Sequence, residues 1–202
     1  MFRRAIPISA LTLAAALVLP TAASAGPMTT GERQRLIAHL QMTEDWLASE
    51  LDGLSDAQLT FKMTPGSWSI KDVAEHLAIA ETQYWTNLAA SLKEPIENGW
   101  KPTATDEQML WYGIDRTDRQ RTGEARVPDG QFPNAQASLA SFRKLRATML
   151  STAKASQEDF RGRAFMGGGQ DVYQWFLMIS THAQRHILQI REIKAHSNYP
   201  KK

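Results

Sequence analysis

The residue types best suited to chemistry in this chain are its histidines, because the sequence contains five of them and no cysteine. His182 and His186 lie four residues apart, which places both imidazoles on one face of a helix, one turn from each other. His76 occupies a similar edge of an apolar stripe on an earlier helix, about 80° from the stripe centre at 100° per residue. Three imidazoles leave a coordination position open, as catalytic and ligand-binding metal sites do. Such a donor set suits Zn, Ni, Cu or Fe(II).

The same pattern also fits histidines that are satisfied by hydrogen bonds at the edge of a core, with no metal bound. From spacing alone, the two interpretations have about equal weight. The remaining histidines are interpreted structurally. His39 lies on the flank of a helix, and His196 lies at a helix C-terminus, where a positive charge complements the helix dipole.

The elements that must position these residues are helical. Apolar residues recur at helical spacing in four long segments, and each segment begins at a residue that can cap it. The segments predicted as helices begin at Thr29, Ser69, Asn134 and Asp171, and end near Gly53, Leu92, Lys154 and His196. No segment shows the period-2 pattern of a strand. The sequence therefore predicts an all-α fold, a four-helix bundle with one long connection between helices 2 and 3.

That connection runs from Glu94 to Phe132 and is expected to contain one short helix near residues 105–119. Residues 29–196 read as one domain, because no internal repeat or linker separates them. Bundles bind ligands and metals between facing helices, so the inward polar residues are the candidates for a site.

The N-terminus, residues 1–25, reads as a secretory signal. Arg3 and Arg4 are its charged start, residues 10–19 its apolar stretch, and Ala23-Ser24-Ala25 a small-residue cleavage site. We expect export to the periplasm or medium. Ala5-Ile6-Pro7 follows the twin-arginine pattern poorly, which favours the general secretory route, and the paired arginines keep the twin-arginine route as the alternative. Cleavage leaves 21 basic and 21 acidic side chains, so the net charge of +2 comes from the signal. No nucleic-acid partner is expected, and no membrane partner after signal removal.

Two segments carry a family resemblance. PGSWSIKDVAEHL at 65–77, which contains His76, and HAQRHILQI at 182–190, which contains His182 and His186, resemble the two signature blocks of the DinB/YfiT-like superfamily of candidate metalloenzymes. The C-terminal residues 194–200 are similar to the tail of one branch. The resemblance runs from about residue 36 to the C-terminus.

This resemblance implies a four-helix bundle that binds one divalent ion, such as Zn, Ni or Fe, through His76, His182 and His186. We expect a metal-dependent enzyme of hydrolase or lyase type that acts on a small organic substrate. The alternatives are a non-catalytic metal-binding or structural module, or a thiol-dependent transferase as among some relatives. Export separates the chain from cytosolic thiols, and the sequence offers no obvious basic cluster for a charged thiol. Relatives often form homodimers, but no exposed stripe in this sequence requires one.

A few other polar and aromatic residues are weaker candidates. Asp72 is expected to cap its helix with Ser69 rather than orient His76. Gln189 is either an anchor for a metal-bound water or an interhelical hydrogen bonder. Trp68 is expected to close one end of the bundle rather than line a pocket, and Trp111 and Tyr112 fit binding and packing equally well.

Overall fold

A computed structural model describes residues 27–96, 99–118 and 122–201, and the predicted signal at 1–25 lies outside these residues. The described residues form six α-helices and no strand. The helices are α1 (Thr30–Leu51), α2 (Asp56–Thr60), α3 (Ile70–Ser91), α4 (Asp106–Ile114), α5 (Ala135–Ala155) and α6 (Val172–Lys194). Short 3₁₀ turns lie at Glu124–Arg126 and Phe165–Gly167. The all-α prediction is confirmed.

The long helices begin where the sequence predicts, because their caps form. The Thr29 hydroxyl accepts the Glu32 N–H, and the Glu32 carboxylate accepts the Thr29 N–H, which completes a capping box. Asp171 caps α6 in the same way with Gln174. These reciprocal bonds satisfy N–H groups that have no partner inside the helix.

Helices α1, α3, α5 and α6 form the bundle. α1 and α3 each pack against both α5 and α6, and α4 lies along α6. The predicted apolar stripes are buried, most fully on α6, where Phe176, Ile179, Ala183, Ile187 and Ile190 have no exposed surface. This packing brings the histidine-bearing faces of α3 and α6 together.

Two elements differ from the sequence expectation. α4 ends at Ile114, well before residue 119, and the carbonyl oxygens of Tyr112 and Asp115, which could accept bonds within a longer helix, accept from the Arg185 guanidinium instead. The five-residue helix α2 was not predicted, although Ser55 and Gln58 form a capping box there that the sequence pattern contains.

The close approach of α4 to α6 depends on Gly113. A Cβ atom at this position would lie 2.7 Å from the Gln184 side-chain oxygen and 2.9 Å from the Thr181 Cβ. Only glycine therefore lets the two helix backbones lie this close. The two residues that precede Gly113 on α4 differ in exposure. Trp111 is 66% exposed, whereas Tyr112 lines the cavity described below.

A buried ion pair ties α3 to α5 and α1. Arg146 of α5 forms a two-pronged pair with the Glu81 carboxylate of α3, and both side chains are fully buried. Its third nitrogen, Nη1, donates to the Leu40 carbonyl oxygen at 3.2 Å and to the Thr43 hydroxyl at 3.1 Å, both on α1. We refer to Arg146, Glu81, Thr43 and the Leu40 carbonyl as the Arg146 cluster.

Candidate metal centre

The structure brings His76 of α3 together with His182 and His186 of α6, and we call these three residues the histidine cluster. One ring nitrogen from each lies within 4.8 Å of the others. The Nε2 atoms of His76 and His182 are 3.3 Å apart. The ring centroids of His186 lie 4.6 Å from those of both partners. His39 lies elsewhere, with its Nδ1 on the Ser180 hydroxyl.

Hydrogen bonds set the tautomers of two of these rings. His76 Nδ1 lies 2.7 Å from the Arg126 carbonyl oxygen, which can only accept, so Nδ1 carries the proton and Nε2 carries a lone pair. His186 Nδ1 donates in the same way to the Gln189 amide oxygen at 2.8 Å. Backbone carbonyls and amide oxygens hold metal-binding histidines in this manner in known sites.

His182 is left unsatisfied by the protein. Its Nδ1 is buried and has no hydrogen-bond partner among the described residues. If Nε2 donates to His76, Nδ1 remains a buried acceptor without a donor; otherwise, two Nε2 lone pairs face each other at 3.3 Å. A cation between the two rings removes that repulsion, and ligands of a tetrahedral zinc ion lie about 3.3–3.4 Å apart when Zn–N bonds are about 2.0–2.1 Å. The donor set therefore fits a divalent ion.

Burial keeps these imidazoles neutral. It lowers the pKa of His76, and it lowers the pKa of His182 well below its ordinary value, with further lowering from the neighbouring His186 and His76. Burial and the nearby His76 lower the pKa of His186 to about 3. The neutral ring is the form that binds metals, so no proton competes for these sites at neutral pH.

The loop that orients His76 is itself fixed by the preceding residue on α3. The buried Glu75 carboxylate accepts the backbone N–H groups of Gly130 and Gln131, both at 2.7 Å, and that of Asp129 at 3.3 Å. The Arg126 carbonyl precedes these amides in the same loop. Glu75 therefore acts as a positioning residue for His76.

The histidine cluster forms part of the wall of a cavity of about 810 Å³. Trp68 lies against it, with its ring centroid 4.8 Å from that of His76 and its ring stacked on His186 at 27°. The expectation that Trp68 only closes the bundle end was therefore wrong, since it also lines the cavity. Other aromatic and polar lining residues are Tyr84, Tyr112, Trp175, Arg116, Arg126, Arg185, Gln189 and Glu192.

Three arginines that line the cavity form a basic cluster that the sequence analysis did not anticipate. The sequence shows no obvious basic cluster, yet Arg116, Arg126 and Arg185 all line this cavity. They come from three separate segments, the chain after α4, the 3₁₀ turn at Glu124–Arg126 and α6, so no run of basic residues marks them in the sequence. The structure assembles the cluster by folding the long connection over α6.

The other candidates also have defined places. Asp72 makes the predicted capping box with Ser69, and its carboxylate also pairs with Lys62 at 3.2 Å. Burial alone would raise the pKa of Asp72, but its hydrogen bonds to Ser69 and its pairing with Lys62 together outweigh burial and lower the pKa. Gln189 contacts His186 within its own helix, which neither sequence interpretation anticipated.

A helical bundle with three histidines converging on a cavity wall defines a class of proteins with a candidate metal centre. The chain belongs to the DinB superfamily, whose family model matches residues 35–190. It is 28% identical over 155 residues to the uncharacterized protein YuaE of Bacillus subtilis (strain 168), which covers 75% of this chain and 91% of YuaE.

The fold also resembles a solved structure, that of YfiT from Bacillus subtilis. The TM-score is 0.57 at 16% sequence identity, and the match covers 86% of this chain and 91% of YfiT. YfiT is described as a probable metal-dependent hydrolase with an unusual four-helix bundle topology. At this identity, the likeness shows the fold, and with the family match it confirms the resemblance found in the sequence. No helix within the described residues has the length and apolar character needed to cross a membrane.

Proposed function

We propose that this protein is an exported, divalent-metal-dependent hydrolase that acts on a small organic substrate. The observation that carries the proposal is the convergence of three neutral imidazoles, two of them with hydrogen-bonded Nδ1 atoms, on the wall of a cavity. A cavity of about 810 Å³ has the size of small-molecule pockets. The description of YfiT favours hydrolysis over a lyase reaction.

His76, His182 and His186 are the proposed metal ligands. A divalent ion in such a site lowers the pKa of a bound water toward neutrality and polarises a substrate oxygen. The protein's own groups prepare the site for this. The Arg126 carbonyl and the Gln189 amide hold two of the rings in position, and the Trp68 ring covers two of the rings on one side.

The proposed location follows from residues 1–25. Export would place the site away from the thiol cosubstrates of the cytosol, which favours water as the second reactant. Fractionation of cells that produce the full chain tests this step, and a product that keeps residues 1–25 in the cytoplasm would contradict it. A homodimer stays a prediction.

The metal is tested on protein purified from its own compartment, since production elsewhere can load a different ion. We expect elemental analysis to find about one divalent ion per chain in the wild type, and none in a His182→Ala/His186→Ala variant. His196→Ala is the matched control, because it removes a histidine outside the cluster and should leave the metal content unchanged. A folded wild type without metal would contradict the proposal.

Catalysis is tested separately with ester, lactone and amide substrates. We expect hydrolysis that a chelator abolishes and that the ion found by analysis restores. If the metal is present and its removal lowers the melting temperature, but no substrate of these classes is turned over, the structural alternative prevails.

A further inference from the structure

Positively charged side chains outnumber negatively charged ones in the described wall of the cavity. The described lining residues include three arginines and one carboxylate, Glu192. Glu192 forms a two-pronged pair with Arg116, with its oxygens 2.6 and 2.9 Å from the guanidinium nitrogens. The positive charge that remains in the wall comes from Arg126 and Arg185, since the three histidines are neutral.

Arg185 is committed to the protein. Its guanidinium donates to the carbonyl oxygens of Tyr112, Asp115 and Asp118, and it stacks over the Tyr112 ring at 4.9 Å. The side chain is 6% exposed. It therefore contributes positive potential to the cavity but has few donors left for a ligand.

Arg126 is different, because its donors are only partly used. Nη1 donates to the Gln83 amide oxygen at 2.7 Å, while Nε is buried and has no partner among the described residues. The guanidinium lies 5.5 Å from the Tyr84 ring centroid and forms no ion pair with any described carboxylate. A buried donor without a partner is destabilising in general, and a ligand that accepts from it removes that cost.

The position of Arg126 connects this cation to the histidine cluster. Its carbonyl oxygen accepts the His76 Nδ1–H, so Arg126 both contributes a positive charge to the cavity and orients one of the proposed metal ligands. Tyr84, which the guanidinium faces, also meets the His182 ring edge-on at a centroid distance of 5.2 Å. The ring of Trp175 lies beside Tyr84 at 5.5 Å and gives this part of the cavity an aromatic wall.

We propose that the substrate of this centre is a small organic carboxylate, whose carboxylate group binds Arg126 while its apolar body lies against Tyr84 and Trp175. The inference rests on the proposed function, because it names the substrate class of that site. A carboxylate is favoured over a phosphate because one guanidinium with open donors matches a single negative charge and a planar pair of oxygens. A phosphate group carries nearly two charges and three acceptor oxygens.

Phenylacetate and phenylacetamide are suitable probes, because they share shape and ring and differ in charge. Calorimetric titration of the zinc-loaded wild type should show phenylacetate binding at least about tenfold more tightly than phenylacetamide, and more tightly than inorganic phosphate. Arg126→Gln should bring the ratio of the two dissociation constants close to one. Arg143→Gln, on the exposed face of α5, is the control and should keep the ratio.

An unchanged ratio in Arg126→Gln would overturn the inference, as would tighter binding of phosphate than of phenylacetate. A second measurement needs no substitution and covers the case in which Arg126→Gln does not fold. In the wild type, the Nε–H resonance of Arg126 should move on titration with phenylacetate and stay in place with phenylacetamide. If the Arg126 Nε–H resonance moves with neither probe, the inference is contradicted.

The zinc ion could itself bind a carboxylate, so the titration is repeated after treatment with EDTA. A charge preference that survives chelation in the wild type and is lost in Arg126→Gln belongs to Arg126 and supports the inference. If the preference disappears with the zinc, the anion binds the metal, and the inference fails while the proposed function stands. If the protein shows the preference but contains no metal from its own compartment, the proposed function fails, and the anion site remains without a reaction.

Discussion

Two buried polar clusters share helix α3 and differ in how completely the protein satisfies them. In the Arg146 cluster, each guanidinium nitrogen has an acceptor within the protein. In the histidine cluster, which begins five residues earlier on α3, His182 Nδ1 has no partner among the described residues and two Nε2 atoms lie 3.3 Å apart.

The difference teaches where to look for function in this bundle. A polar cluster that satisfies its own donors and acceptors fixes the arrangement of helices and has nothing left to offer a ligand. A cluster in which two imidazole Nε2 atoms face each other has a cost that an ion bound between them can offset. Burial alone does not distinguish them, because His76 and Arg146 are almost equally inaccessible.

The largest expected effect comes from breaking the Arg146 cluster. Arg146→Met leaves the Glu81 carboxylate buried without its partner, and we expect the free energy of unfolding to fall by about 3–5 kcal/mol. Urea denaturation measures it. Arg146→Met/Glu81→Leu should regain most of the loss, whereas the control Arg143→Met, at a half-exposed pair, should change stability by less than about 0.5 kcal/mol. A double variant as unstable as the single one would contradict the interpretation.

Removal of the metal tests the histidine cluster through the same quantity, the free energy of unfolding. With the ion at about 100 times its dissociation constant, binding adds about 2.7 kcal/mol to stability, and EDTA should remove it. The His182→Ala/His186→Ala variant should show no response to EDTA. Thermal unfolding with and without chelator measures both, and an equal loss in the variant would mean that the ion binds elsewhere.

The pH dependence of the metal-free protein should come next in size when the effect is taken per histidine and per pH unit. The pKa values of His76, His182 and His186 are lowered in the folded state, so the unfolded chain binds more protons below about pH 6.5. For His186 this contribution to stability is present above about pH 6.5 and is lost as the pH falls toward 3, with a slope of about 1.4 kcal/mol per pH unit for its proton, and His76 and His182 act in the same direction. Urea midpoints measured from pH 7.5 to 4.5 check this. A variant with all three replaced by glutamine should have a shallower profile, and parallel profiles would contradict the assignment.

The smallest effect is expected when the hydrogen bond between His186 and Gln189 is removed. Gln189→Leu removes the acceptor of the Nδ1–H bond, and we expect zinc affinity to fall about tenfold. Competition with a chromophoric chelator measures the affinity. Gln136→Leu, on an exposed position of α5, is the matched control. An unchanged affinity would show that Gln189 does not orient the ring.

Much of the fold could be predicted because its signals are local. Each long helix begins at a capping residue that the sequence displays, and the apolar stripes of α1, α3, α5 and α6 are continuous. The three histidines were found for the same reason, since a spacing of four and a position at the stripe edge are visible without a structure. That they bind metal stays a prediction.

The rest of the site depends on contacts between distant segments. Arg146 looks like one of several basic residues on α5, and only its pairing with Glu81, 65 positions earlier, explains its burial. Arg126 lies in a 3₁₀ turn within an irregular connection, where no periodicity predicts which way a side chain or a carbonyl points. The carbonyl that orients His76 belongs to the backbone and therefore leaves no mark in residue type at all.

The contacts of Glu75 and His76 with one loop limit how the chain can change in length. His76 holds the loop at the Arg126 carbonyl, and Glu75 holds it again at the amides of Gly130 and Gln131. Because these anchors are neighbours on a helix, residues 126–131 must span a fixed distance, and an insertion or deletion there would pull one anchor away. We expect relatives that keep the three histidines to vary in length elsewhere in the long connection and to keep this segment at constant length.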